Sequence, residues 1–324
     1  EKTEANGFYE INRLNAKHPE NVKQKIVSEL VDAGYNQKDI PEIVWYSHHY
    51  CHALSAHLSS PFHKSLGIAV DANGEVENLT VWDCRGTQLT KIYSKTLPTS
   101  LGWYYRSFTL FCGFDAYEGE GMLMGLAPYG KPNKRIARKL EKVLVWQKDS
   151  NGDFDFYVDP TFIYIGKMSK FSSKLTQKLL DLFGKPSKDS YDPDQYYKDI
   201  AFEVQRRLEL TLLKFSERFL KQTGHHNLTL SGGVALNCKA SGYIWKKTKL
   251  LKGIYTIPFA ADDGIGVGAC LCHLVENNNF KKKDFLLKDV YLGPSYKDKY
   301  IKNALDNFNL RPEYKSDIQY SSIA

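Results

Sequence analysis

The last third of this sequence alternates apolar runs with glycine-led helical stretches, and that alternation leaves few folds open. Asn227-Leu-Thr-Leu-Ser231 reads as a strand, Gly232-Gly233 as a turn, and Val234 to Lys247 as a helix. Gly253-Ile-Tyr-Thr-Ile257 reads as a second strand, Pro258 to Asp263 as a loop, and a further helix starts at Gly264. Strands separated by helices pair in parallel, need cover on both faces, and gather ligands at their C-terminal ends. Upstream, Leu66 to Val70 is an apolar strand ending on Asp71, and Asn73-Gly74 signals a hairpin into Leu79-Thr-Val-Trp82. Gln88 to Ser94 continues an antiparallel meander, so the chain is expected to be α/β. A helix is predicted over Glu20 to Ala33, ended by Gly34, and a short strand over Ile43 to Tyr46. A mostly helical middle with a hairpin near Asn151-Gly152 comes next, and the longest helix spans about Asp194 to Lys221.

The short strand delivers the run Ser47-His48-His49-Tyr50-Cys51-His52. If the run is helical, His48 and His52 leave one face a turn apart and can grip one ion. A buried imidazole needs a partner for each nitrogen, so such a cluster suits a metal better than a core. The competing reading is one helix of ordinary, satisfied histidines. Asp71 closes an apolar strand, where a carboxylate is costly unless it meets a cation or several donors. Asp262 or its neighbour Asp263 would serve as a helix N-cap, leaving the other free for chemistry. A set of two histidines and two aspartates is hard and open, which favours Fe(II) or Mn(II) over structural zinc.

Bulk properties exclude more than they identify. At 324 residues the chain can hold one large or two medium domains. A net charge of +7 is mild, its only tight basic cluster being Lys281-Lys282-Lys283, so no nucleic-acid partner is expected. No apolar run is long enough to span a bilayer, and no signal peptide is visible. Cys51, Cys84, Cys112, Cys238, Cys270 and Cys272 form no CxxC pair. They read as buried free thiols of a cytoplasmic protein. Asn78 and Asn227 match glycosylation sequons but read as strand residues. The chain starts at Glu1 without Met and ends just after a new helical pattern begins, and is read as a fragment.

Three further motifs bear on ligands. At Leu230-Ser-Gly-Gly-Val-Ala-Leu-Asn237 a glycine turn joins a strand to a helix, so backbone can approach a phosphate closely; a plain tight turn is the alternative. Gly264-Ile-Gly266-Val-Gly268 is half a dinucleotide fingerprint and is better read as close helix packing. Glu118-Gly-Glu120-Gly-Met122-Leu-Met-Gly125-Leu-Ala-Pro-Tyr-Gly130 suggests either a substrate-lining helix start or an ordinary capped helix.

Taken together, these pieces resemble the O-carbamoyltransferases that act on antibiotics, nodulation factors and similar metabolites. The shared motifs, in order, are His48-His49-x-x-His52-Ala-x-Ser55-Ala56 with Ser60-Pro61-Phe62, Met124-Gly-Leu-Ala-Pro-Tyr-Gly130, Ser231-Gly-Gly-Val-Ala-Leu-Asn237-Cys-x-Ala240, Asp262-x-Gly264 and Tyr291-Leu-Gly-Pro-Ser295. The resemblance implies an actin-like fold of two ribonuclease-H-type lobes, similar to the tRNA threonylcarbamoyl-transfer protein. It implies iron on His48, His52, Asp71 and Asp262, nucleotide contacts at Gly232, Gly233, Asn237 and Gly125, and catalytic roles for His49 and Glu120. By the same resemblance, carbamoyladenylate made from carbamoyl phosphate and ATP would pass its carbamoyl group to a hydroxyl of a small acceptor.

The chain departs from that family by carrying Met122 where Lys is usual. The family's N-terminal strands and its adenylate-forming C-terminal domain are not in the sequence. Residues 1–290 are thus expected to be the transfer domain, and 291–324 the incomplete start of the activation domain, supplied in cis or in trans. An actin-like phosphotransferase using Mg²⁺, or an inactive nucleotide-binding partner, are the alternatives.

Overall fold

A computed structural model describes residues 19–115, 119–163, 175–189, 191–278, 280, 285–287, 289–291 and 293–308. The chain divides into two units, Glu1–Leu286 and Leu287–Ala324. In the first, the described elements are α1 (Pro19–Asp32), α2 (His48–Ser59), β1 (Lys64–Gly74), β2 (Glu77–Arg85), β3 (Gln88–Thr96) and α3 (Leu101–Phe111). They continue with α4 (Glu120–Leu126), α5 (Lys134–Val143), the hairpin β4 (Leu144–Lys148) and β5 (Phe154–Val158), α6 (Gln177–Phe183) and α7 (Gln195–Thr223). The unit closes with β6 (Asn227–Ser231), α8 (Cys238–Lys247), β7 (Gly253–Thr256) and α9 (Ile265–Glu276). The second unit contains α10 (Asp298–Asn307).

Five strands form a mixed sheet in the order β3-β2-β1-β6-β7. β1 pairs antiparallel with β2 and parallel with β6, with Leu66 opposite Leu228 and Ala69 opposite Ser231. As the central strand, β1 is buried from Ser65 through Asp71, which is why its sequence lacks a polar alternation. The pleat sorts its side chains. Leu66, Ile68 and Val70 join the main core with Leu101, Tyr104 and Phe108 of α3 and Phe215 of α7. Gly67 points the other way, toward Cys84, Trp82 and Thr229. Ala53 of α2 packs with Trp82 and Cys84. With a period of two, Asp71 falls on the same side as Gly67 and Ala69, the side that α2 covers.

The hairpin β4–β5 packs beside β3 through a buried ion pair, Lys95 Nζ to Asp155 at 2.9 Å, with Tyr93 also donating to Asp155. Gly224, in the left-handed region at φ 68°, ends α7. Asn78 and Asn227 lie in β2 and β6, as the sequence suggests.

Three expectations need correction. Ile43–Tyr46 is not a strand: it pairs with no strand of the sheet, and its apolar side chains Val44 and Trp45 are exposed and not buried on a sheet face. The helix predicted from Val234 starts only at Cys238, because Gly233–Leu236 winds as a 3₁₀ turn and Asn237 then caps α8, accepting from Ala240 N. Of the six cysteines, all free, Cys238 and Cys270 are exposed rather than buried. Among the described residues no helix is long and apolar enough to cross a membrane. Lys281 to Lys283 and Glu118 lie outside the described residues.

Candidate metal centre

His48 and His52 open α2, one turn apart. Asp71 sits where β1 leaves the core, and Asp262 starts a 3₁₀ turn, Asp262–Gly264, after β7. Their ligand atoms all lie within 4.8 Å of one another. His48 Nε2 is 3.6 Å from Asp71 Oδ2 and 3.5 Å from Asp262 Oδ1. His52 Nε2 is 3.3 Å from Asp71 Oδ2 and 3.6 Å from Asp262 Oδ1. His48 Nε2, His52 Nε2 and Asp71 Oδ2 are shielded from solvent and have no hydrogen-bond partner. Three orphaned polar atoms at one point would be an expensive core. Donors held at about 2.0–2.2 Å from a shared ion lie roughly 3 to 4.4 Å apart, cis to trans. The spacings observed suit one divalent cation.

The electrostatics agree. Burial pulls His52 down, but the Asp262 and Asp71 carboxylates outweigh it and hold the ring up to about 9. Burial opposes ionisation of Asp71, yet contacts from His48 and His52 keep its carboxyl well below the usual range. The two carboxylates thus draw positive charge to this point, as a proton on His52 that a bound cation would replace. Asp262 is no helix cap, since no side-chain cap bond is made at this turn.

Neighbouring backbone shapes the pocket. A Cβ on Gly74 would lie 2.2 Å from Cδ2 of His48, so the end of β1 presses directly on that ring. Asp71 Oδ1 accepts from Ala72 N at 2.7 Å, and Ser100 Oγ donates to Ala72 O at 2.6 Å, fixing the chain just past the ligand. A Cβ on Gly233 would lie 3.1 Å from Asp71 Oδ1. The glycine turn therefore borders the metal cluster, as the parallel register of β1 and β6 requires.

His49 is not among the four. It is buried against β2, its Nδ1 3.1 Å from Thr80 Oγ1. That hydroxyl also accepts from Trp82 Nε1 at 2.8 Å, so one threonine anchors both rings. Burial and the neighbouring His48 push His49 down to about 3, keeping it neutral.

Gly232 lies at φ 85°, a Cβ there would strike the Val70 carbonyl oxygen at 2.2 Å, and its N–H donates to Ala260 O at 2.7 Å. Ser231 Oγ, beside it, is buried without a hydrogen-bond partner. Asn237 pairs reciprocally with Gln205 of α7, both contacts at 2.9 Å, and Tyr105 donates to Gln205 at 2.7 Å. Nothing in the sequence links Gln205 or Tyr105 to Asn237, because the three meet only through tertiary packing. Glu120 and Gly125 share the short helix α4, joined to α8 by Met124 Sδ and Cys238 Sγ at 3.9 Å. A Cβ at Gly125 would meet nothing within 4 Å, and Met122 is exposed. Neither Glu120 nor Gly125 belongs to the metal cluster. Gly268 serves packing, lying against Cys51 of α2, whereas a Cβ on Gly266 would meet open space.

A family profile described as "Carbamoyltransferase N-terminus" matches residues 3–271. An uncharacterized protein of Synechocystis is 34% identical over 291 residues, covering 88% of this chain and 45% of the relative. The nodulation protein NolO of Bradyrhizobium diazoefficiens is 30% identical over 248 residues, covering 76% and 41%. The chain thus spans less than half the length of these two curated relatives. Among solved structures, HypF of T. kodakarensis is similar with a TM-score of 0.40 at 16% identity, covering 82% of this chain and 40% of that one.

Proposed function

The chain belongs to the carbamoyltransferase family, and from that membership we propose that it is the transfer domain of an ATP-dependent O-carbamoyltransferase. The observation that carries the reading is the convergence of four ligand atoms, with the Gly232-Gly233 turn packed directly against one of those ligands, Asp71. In this reading His48, His52, Asp71 and Asp262 hold Fe(II) or Mn(II), and Gly232, Gly233, Asn237 and Gly125 border the nucleotide. Paired imidazoles disfavour Mg²⁺, which takes oxygen ligands, and so disfavour the phosphotransferase alternative.

A divalent ion there would supply Lewis-acid polarisation of a carbamoyl or phosphate oxygen. The chain's own residues do the rest. His52, nearly inaccessible, fixes the inner side of the site, while Asp262, 71% exposed in its side chain, faces solvent and marks the side of substrate entry. Gly232, braced on Ala260, holds the turn in a conformation that a side chain would block. Asn237, its amide tied to Gln205 and to the Ala240 N–H, fixes the start of α8 beside the glycine turn. Glu120, at the start of α4, is the acid proposed to take the acceptor's hydroxyl proton. His49, neutral and behind His48 and His52, is a positioning residue in this scheme.

The sheet, three antiparallel strands followed by two parallel ones, supports a ribonuclease-H-type lobe of an actin-like domain over residues 1–290. The division at Leu286 supports a separate origin for 291–324, read as the start of the adenylate-forming domain. The substrates of the whole protein would then be carbamoyl phosphate, ATP and a small hydroxylated acceptor, in the cytoplasm. Two measurements test this. Elemental analysis should find a divalent metal in the purified chain and none above background in the His48→Ala, His52→Ala double variant; full retention would end the metal assignment. With carbamoyl phosphate and ATP, the chain alone should release no pyrophosphate, whereas adding the C-terminal part of the protein should restore it.

A further inference from the structure

We propose that Cys51 and Cys272 are a redox-modification site, closing into a reversible disulfide that ties the helix bearing His48 and His52 to the helix that comes after Asp262. Their Sγ atoms are 3.9 Å apart, and both residues are buried. The other cysteines with a recorded sulfur contact face elsewhere: Cys112 toward Tyr197 O, Cys84 toward Trp82 O, and Cys238 toward Met124.

The backbone favours the link. Gly268 stands one turn before Cys272 on α9, and a Cβ there would lie 2.5 Å from the carbonyl oxygen of Cys51. The two helices therefore touch backbone to backbone at the level of the thiols. Closing the pair to about 2.05 Å draws together two sulfurs that already stand 3.9 Å apart. The thiols sit in an apolar cluster with Leu54, Leu58 and Leu271. A small uncharged two-electron oxidant, a hydroperoxide, is the co-reactant that this setting admits.

The step balances. One sulfur attacks the peroxide, the O–O bond breaks, an S–O bond forms, and the thiol proton leaves with the departing oxygen as water. The second sulfur then attacks the sulfenic sulfur, the S–S bond forms, the S–O bond breaks, and a second water carries away the other proton. Two thiols lose two electrons and two protons, and one peroxide becomes two waters. A dithiol reductant reverses the change.

The consequence concerns the metal centre without depending on which ion, if any, it holds. α2 carries two of the four candidate ligands, and α9 begins directly after the turn that carries Asp262. Oxidation would prevent these two segments from separating.

The test treats the full chain with hydrogen peroxide, unfolds it, alkylates the remaining thiols and maps the peptides. The expected result is a loss of two alkylatable thiols, a peptide joining Cys51 to Cys272, and recovery of both on reduction. The Cys272→Ala variant should yield no such joined peptide, and the peroxide-induced rise in thermal midpoint seen in the parent should vanish in it. Absence of the Cys51–Cys272 peptide from oxidised parent protein overturns the proposal. So does an equal rise in midpoint in Cys272→Ala.

Discussion

At the scale of single residues, the candidate centre depends as much on what is missing as on what is present. Gly74 has no Cβ, and His48 occupies the space one would fill. Gly74→Ala should displace that ring and weaken Mn(II) binding by roughly tenfold or more, as the loss of outer-shell support does elsewhere. Gly121→Ala, where a Cβ would meet nothing within 4 Å, should leave binding unchanged in the same titration. Thr80 holds His49 in place and also receives Trp82. Thr80→Val strands both groups in the core and should lower stability by about 1–3 kcal/mol in urea unfolding. The four candidate ligands were legible because their cues are local: a helical spacing, and acids at strand ends. Gly74 reads only as a turn residue, since no sequence pattern announces that a ring from an earlier helix will lie against it.

At the scale of elements, the sheet was legible where strands carry alternation or end in turn signals, and β2, β6 and β7 lie where those signals put them; β1 instead runs through Asn73-Gly74, and the turn falls at Glu75-Val76, with Glu75 at φ 50°. Ile43–Tyr46 has the same apolar content but finds no ladder, because strand formation is decided by tertiary packing and not by composition alone. The 3₁₀ turn at Gly233–Leu236 was hidden for a related reason. Its four residues close a single 3₁₀ turn, and the side chain of Asn237 then caps α8 at Ala240 N, a bond no local pattern announces. The contact of α9 with α2 turns on Gly268. Gly268→Val should force the helices apart and cost about 1–3 kcal/mol, read as a lower denaturation midpoint. The hairpin β4–β5 is held to β3 by Lys95 and Asp155, both largely buried. Lys95→Met would leave a buried carboxylate with Tyr93 as its remaining donor, and should cost about 3 kcal/mol, the lower end for a broken buried pair.

At the scale of the whole molecule, the division after Leu286 makes a prediction of its own. A chain ending at residue 286 should keep the circular dichroism, thermal midpoint and metal content of the longer one. A cooperative loss of structure on that cut would show that the two units fold as one. The boundary expected from the sequence, at 290, rests on the motif Tyr291-Leu-Gly-Pro-Ser295. The sequence could not indicate the asymmetry of the centre, which arises only once β1, β7 and α2 are brought together. His52 is 1% exposed in its side chain and Asp71 12%, whereas Asp262 is 71% exposed. An ion held this way has one door. A chelator in solution must begin its attack at Asp262, so the lifetime of the loaded state is governed by the detachment of a single carboxylate. Asp262→Asn should accordingly shorten that lifetime, measured by stopped-flow exchange into a chromogenic chelator, far more than it reduces the occupancy reached at saturating metal.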